Sequence, residues 1–233
     1  MKLLSFAMLF VSTAVLAQNA GSSPAEQGRF RKQILHNDRL TAYLVEIPSQ
    51  QSTPTHRHVK DTLSILVSGG TTESVMGNGS PLHIKSKAGD AVFRSAPYSH
   101  SVKNIGNEPF RVADIEFADP QGARQKPAHK SFHSCNPASK VACVTEQYLF
   151  CTQRFCVEDV EMGPGAKSSK HTHDTDHMMV AITDYKIDDE TTGKGVIHRA
   201  VKSGGVEYLP AGITHVLTNT TGKTVRFVAV IFQ

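Results

Sequence analysis

The stretch His171-Thr-His173-Asp-Thr-Asp-His177, followed at a distance by Gly204 and by Pro210-Ala-Gly212-Ile-Thr-His215-Val-Leu-Thr-Asn219, decides how this chain is read. Side chains alternate along a strand, so two histidines one residue apart face the same way and can reach a single ion. His177 lies an even step beyond His173 and stays on that face, whereas Asp176 takes an odd step and points away. Parity therefore prefers His177 over Asp176 as the next ligand, with a turn at Asp174-Thr175 as the feature that could reverse the choice. His215 must arrive from a distant strand, which a barrel permits by bringing strands across its lumen.

The pattern occurs a second time, 115 residues earlier, as His56-Arg-His58 with His100 and Asn104. At the same offset lie Arg39 and Arg154, Glu46 and Glu161, Asp61 and Asp176, His83 and His198, Gly89 and Gly204, Arg111 and Arg226, and Phe117 and Phe232. Glycines and apolar positions align together with the ligand-type residues, so the chain reads as a duplicated domain with a metal site in each half. Short strand-like runs separated by Gly, Pro and Asn turns fill both halves. They are Thr41 to Ile47, Leu63 to Val67, Gly89 to Phe93 and Phe110 to Phe117, then Phe155 to Met162, His177 to Ile182, Gly204 to Leu209 and Val225 to Phe232. No long stretch carries a 3.6-residue stripe. The expected fold is all-β, with a sandwich or barrel in each half.

The N-terminus has Lys2, an apolar run from Leu3 to Leu16, and small residues at the end of Val15-Leu16-Ala17. That is the pattern of a cleaved signal peptide over residues 1–17, so an exported chain, periplasmic or secreted, is expected. The run is short for a bilayer span, and the rest of the chain is expected to act without a membrane partner. The net charge of +4 is modest and no basic stripe with interleaved aromatics is present, so nucleic acid is not an expected partner. The expected units are residues 28–118 and 147–233, joined by a linker over 119–146 that contains Asp119-Pro120, Gly122, Pro127, Asn136-Pro137 and Lys-bearing polar sequence.

All four cysteines, Cys135, Cys143, Cys151 and Cys156, fall in one short stretch. In an exported chain an even, clustered set favours disulfides; three pairings exist, and a four-cysteine zinc site is the rival reading. The preferred pairing bridges Cys151 to Cys156 across a tight turn and clips the linker with Cys135 to Cys143. Its role is structural.

The two halves resemble the cupin superfamily, whose motifs are G(x)5HxH(x)3–4E(x)6G and G(x)5PxG(x)2H(x)3N. Gly165, His171 and His173 follow the first motif; Gly204, Pro210, Gly212, His215 and Asn219 match the second throughout. The family's glutamate ligand is replaced here by His177, and its following glycine by Asp184. In the first half His56, His58, His100, Asn104 and Gly69 hold, while Gln50, Thr62 and Ser95-Ala-Pro97 depart from the pattern. The resemblance implies a bicupin, akin to the quercetin dioxygenase-like cupins: two tandem antiparallel jelly-roll barrels joined by the cysteine-bearing linker. It implies a metal held by His171, His173, His177 and His215, and a second by His56, His58 and His100 with Asp61 or water completing it.

Neutral imidazoles suit iron, manganese, nickel, copper or zinc, so the expected cofactor is a divalent transition metal. An all-histidine shell leaves the ion's charge uncompensated and favours bound anions, enolates or phenolates. A four-histidine octahedral ion keeps two positions open for a small-molecule substrate or dioxygen; a closed structural zinc site is the plainer alternative. The resemblance then implies a dioxygenase-like oxidoreductase acting on a small oxygen-rich molecule, with a decarboxylase or lyase as runner-up. A non-catalytic protein that binds or stores a metal or small ligand is the competing class. Glu158, Asp159 and Asp184 are unranked candidates for a general base. His83 and His198 read as exposed strand histidines, and Arg111 and Arg226 as surface charge before substrate anchors. Asn104 and Asn219 are expected to hold a turn by side-chain to backbone hydrogen bonds. Homo-oligomers formed through exposed sheet edges are an open option.

Overall fold

The computed structural model describes residues 23–24, 28–127, 130–136, 138–139 and 141–233. The signal peptide expected over residues 1–17 lies outside the described residues. Within them the chain is all-β. The N-terminal half contains β1 (Ser23–Pro24), β2 (Arg31–His36), β3 (Leu40–Ile47), β4 (His56–His58), β5 (Thr62–Leu66), β6 (Gly70–Met76), β7 (Leu82–Ser86), β8 (Ala91–Arg94), β9 (Tyr98–Asn104) and β10 (Phe110–Phe117). The C-terminal half contains β11 (Phe132–Cys135), β12 (Cys143–Cys151), β13 (Phe155–Met162), β14 (His171–His173), β15 (His177–Ala181), β16 (Tyr185–Thr191), β17 (Gly195–Val201), β18 (Val206–Leu209), β19 (Ile213–Asn219) and β20 (Val225–Phe232).

Each half closes from two sheets. Their orders are β1-β4-β9-β6-β7 and β2-β3-β10-β5-β8 in the first half, and β14-β19-β16-β17 and β11-β12-β13-β20-β15-β18 in the second. β3, β4, β5, β6, β8, β9 and β10 share their bounds with β13, β14, β15, β16, β18, β19 and β20 after a shift of 115 residues. The duplication is thus kept strand for strand. Both bridges form as preferred, Cys135–Cys143 and Cys151–Cys156. The first sits between paired strands: β11 and the start of β12, Cys143 to Glu146, occupy residues expected to be linker, and they extend the sheet of the second barrel. The strand-free connection is correspondingly shorter.

The main core lies between the barrels. On β10 Ala113, Ile115 and Phe117 face the other barrel, while Val112 and Asp114 face the lumen. On β20 Val228, Val230 and Phe232 face the first barrel, while Phe227, Ala229 and Ile231 line their own lumen. Both faces of these strands are therefore buried, which is why β20 reads as a nearly continuous apolar run, while β10 carries charged residues among its apolar ones. Phe117 stacks on Phe155 at 5.1 Å between ring centroids, and Phe93 meets Phe155 edge-on at 5.6 Å.

Two arginines expected as surface charge complete this interface. Arg111 of the first barrel donates to the backbone oxygen of Ser203 at 2.8 Å, beside Gly204. Arg226 of the second barrel lies against Gly89 while its guanidinium donates to Asp159 at 2.6 Å. Arg111 and Arg226 are equivalent positions, as are Gly89 and Gly204, so the barrels exchange the same contact about a pseudo-twofold axis. Gly89 has φ +87° and Gly204 φ +86°, a region where a side chain is strained. Gly89→Ala is expected to cost about 1–3 kcal/mol, because the new methyl displaces a guanidinium that Asp159 holds in place. Urea unfolding checks this; an unchanged midpoint would contradict it.

Candidate functional site

β14 pairs with β19 so that His171 stands opposite His215, and β4 pairs with β9 so that His56 stands opposite His100. In the C-terminal barrel the ligand atoms of His171, His173 and His215 lie within 4.8 Å of one another, and those of His56, His58 and His100 do the same in the N-terminal barrel. His171 Nε2 is 3.1 Å from His173 Nε2 and 3.2 Å from His215 Nε2.

The outer nitrogens decide which protons these rings carry. His171 Nδ1 lies 2.9 Å from the Ser169 carbonyl, and His215 Nδ1 lies 2.9 Å from an Asp189 carboxylate oxygen. Carbonyl and carboxylate oxygens only accept, so both Nδ1 atoms donate, and in the neutral rings both Nε2 atoms present lone pairs. Two lone pairs facing each other at 3.2 Å repel unless a cation sits between them. Metal–nitrogen bonds of about 2.0–2.1 Å would put neighbouring ligand nitrogens about 2.8–3.4 Å apart, from right-angled to tetrahedral positions, a range that includes the separations observed. The residues present fit a transition-metal ion. Burial holds His173 down at about 3 and His177 at about 4, so both rings are neutral near pH 7 and free to ligate.

His177 lies on the lumenal side, as parity requires, and its ring stacks on His173 at 3.7 Å. Both its nitrogens are buried and unpartnered. It stands beside the converging triple, and a buried ring nitrogen left without a partner costs about 1–3 kcal/mol; ligation through the lone-pair nitrogen would satisfy one of the two. Asp176 points the other way. It accepts from Tyr208 Oη at 2.6 Å and from Ala211 N at 2.8 Å, and it pairs with Arg39.

In the first barrel the fourth position is built differently from expectation. Asp61 does not complete the site: its carboxylate accepts the backbone N–H groups of Ala96 and Gln121 at 2.8 and 2.7 Å. His56 Nδ1 meets the Pro54 carbonyl at 2.9 Å, and His58 Nε2 meets His100 Nε2 at 3.2 Å. His58 Nδ1 lies 3.4 Å from Glu116, which Arg31 also binds at 2.8 Å. Asp114, Glu116 and His58 form a further ligand-like group, but Arg31 already supplies its cation.

Sequence reasoning missed the buried supports behind the metal histidines. Asp189, fully buried, receives His215 Nδ1 and the guanidinium of Arg199, which also pairs with Glu207. Burial by itself would raise the Asp189 carboxyl, yet the hydrogen bonds from His215 and Arg199 hold it well below the usual carboxylate range. Carboxylates set into otherwise apolar strands, Asp114 and Glu116 of β10 above all, were the available signal. The other expectations resolve plainly. His83 and His198 are exposed and pair with Glu73 and Asp188. Asn219 Nδ2 donates to the carbonyls of Met162, Gly163 and Lys223, and Asn104 donates to those of Ile47 and Glu108. Each asparagine ties the last histidine strand to the facing sheet.

Of the three acid–base candidates, Asp184 is at the surface with Lys202 and Asp159 is held by Arg226. Glu158 lines the C-terminal cavity with the four histidines. Burial pushes it up to about 7, despite a hydrogen bond with Tyr148 that pulls it down. In the unfolded chain the proton leaves near 4.5, so folding holds it between those two values. The associated stability is complete below the lower value and is lost as pH rises through the upper one. In metal-free protein, Glu158→Gln should remove that decline and gain up to about 3 kcal/mol on the parent near pH 8. Unfolding curves that keep a constant spacing across this range would contradict it.

No family model matches the chain and no curated protein matches it. Among solved structures, AerE from Microcystis aeruginosa aligns at a TM-score of 0.62 and 13% identity, over 88% of this chain and 98% of that one. A mutant of Bacillus subtilis oxalate decarboxylase OxdC aligns at 0.62 and 12% identity, over 86% and 71%. A cupin 2 conserved barrel domain protein from Leptotrichia buccalis aligns at 0.52 and 13% identity, over 87% and 88%. The fold is that of a cupin with two barrels. At these identities the likeness is one of architecture, and the histidine clusters add a potential metal site in each barrel.

Proposed function

We propose that the chain is an exported, metal-dependent bicupin enzyme whose C-terminal barrel acts on a small oxygen-rich molecule in a dioxygenase-like reaction. The observation that carries the metal site is the pair of lone pairs facing each other between His171 and His215, each fixed by an acceptor on its outer nitrogen. His171, His173 and His215 would hold the ion, with His177 as a further ligand. When bound, the ion supplies Lewis acidity and open positions for chelating oxygens or dioxygen. Glu158 stands in the same cavity with a proton to give or take near neutral pH. Export is supported by two disulfides and by the charged, then apolar, leader.

Glu158 also favours a second reading. A buried, non-ligand carboxyl poised near 7 suits a decarboxylase or lyase, which must place a proton on carbon. Protein loaded in turn with iron, manganese, nickel, copper and zinc should be assayed with flavonols, diketones and oxalate for oxygen uptake and for carbon dioxide release. Oxygen uptake supports the dioxygenase reading. Release or elimination without uptake supports the second. Bound metal with neither, over the whole panel, leaves the chain a binding or storage protein.

A further inference from the structure

The two lumens differ in size, and the difference lies in side chains at equivalent positions. The N-terminal cavity has a volume of about 150 Å3 and the C-terminal one about 50 Å3. Where the C-terminal barrel places Met162, Met179, Ile187 and Phe227, the N-terminal barrel has Ile47, Ser64, Thr72 and Val112. These positions lie on lumen-facing strands of the same bounds, so the smaller side chains leave the extra space. Its walls are mainly apolar, with Val45, Ile47, Leu66, Val102, Phe110 and Val112 among them, and His56, His58 and His100 share the same cavity. An apolar cavity of about 150 Å3 accepts one benzene-sized body, whereas one a third as large holds only a few heavy atoms or waters.

We infer that the N-terminal barrel is a separate binding site for a compact organic anion, a carbon skeleton of about one six-membered ring with a carboxylate or phenolate oxygen directed to His56, His58 and His100. The oxygen end would meet the imidazoles of His56, His58 and His100 and the ion that they could hold. The carbon body covers the aliphatic wall. Arg31 is already matched by Asp114 and Glu116, so the anion relies on the histidine side of the cavity and on Arg94, which also lines it. The inference does not depend on turnover in the C-terminal barrel.

Benzoate titrated calorimetrically into the zinc-loaded full chain should bind once per chain, and 1-naphthoate should bind at least about tenfold more weakly. Val112→Phe and Thr72→Ile each install a residue that the other barrel carries at that place, and each should weaken benzoate at least about tenfold with zinc content unchanged. Circular dichroism reports whether these variants fold. His173→Ala, which disables only the C-terminal centre, should leave benzoate binding intact, and it keeps the inference testable if the filled variants do not fold. No benzoate binding, binding indifferent to Val112→Phe in a folded variant, or binding lost in His173→Ala would each overturn it.

Discussion

Replacing His173 with alanine is expected to remove metal from the C-terminal barrel while the barrel stays folded. His173 Nε2 lies 3.1 Å from His171 Nε2, so its loss leaves two converging ligands and an incomplete shell. Loss of a supporting partner alone costs about 10–100-fold in metal affinity, and loss of a direct ligand should exceed the upper figure. The side chain is only partly buried and sits apart from the main inter-barrel core, so unfolding should change little. Competition of parent and variant against a chelator of known affinity, with zinc and with manganese, measures the effect. Metal content at parental level in the variant would refute the ligand set.

Asp189→Ala is expected to be nearly as damaging from a position that touches no metal. The buried Asp189 carboxylate receives His215 Nδ1 at 2.9 Å and Arg199 Nε at 2.8 Å. Without it the His215 ring is free to take the other tautomer, and the partly buried Arg199 keeps only Glu207. Affinity at the C-terminal site should fall about 10–100-fold. Stability should fall by about 3 kcal/mol, the cost of leaving a buried charge short of a partner. Asp189→Asn retains an oxygen acceptor and should recover part of the metal affinity but less of the stability, since its amide cannot neutralise Arg199. An alanine variant with parental affinity would show that the tautomer is fixed by some other group.

The histidine clusters were legible because their logic is local. Residues separated by one along a strand share a face, and the 115-residue offset supplied a second copy of His171, His173 and His215, with Thr62 in place of His177. The barrels followed from the same strand alternation and the turn residues between runs. The supports were less legible. Parity places Asp189 and Glu116 on lumenal faces, but only the closing of two sheets decides that Asp189 meets the equivalent of His100 while Glu116 meets the equivalent of His173. Those contacts arose on opposite sheets in the two copies, so the repeat could not reveal them. Arg111 and Arg226 failed for another reason. Outward-facing positions on a lone barrel face solvent, whereas these sheets pack against each other. The run of Val225 to Phe232, apolar except for Arg226, carried that warning. Likewise Phe132 to Glu146 reads as polar connector until its cross-strand pairing, Cys135 opposite Cys143, is seen.

Anomalous diffraction from crystals grown with manganese or zinc examines the metal assignment without any assumption about substrate. A metal peak about 2.0–2.2 Å from Nε2 of His171, His173 and His215 is the expected result. A C-terminal lumen without anomalous density at saturating metal, its three rings facing one another across ordered water, would contradict it.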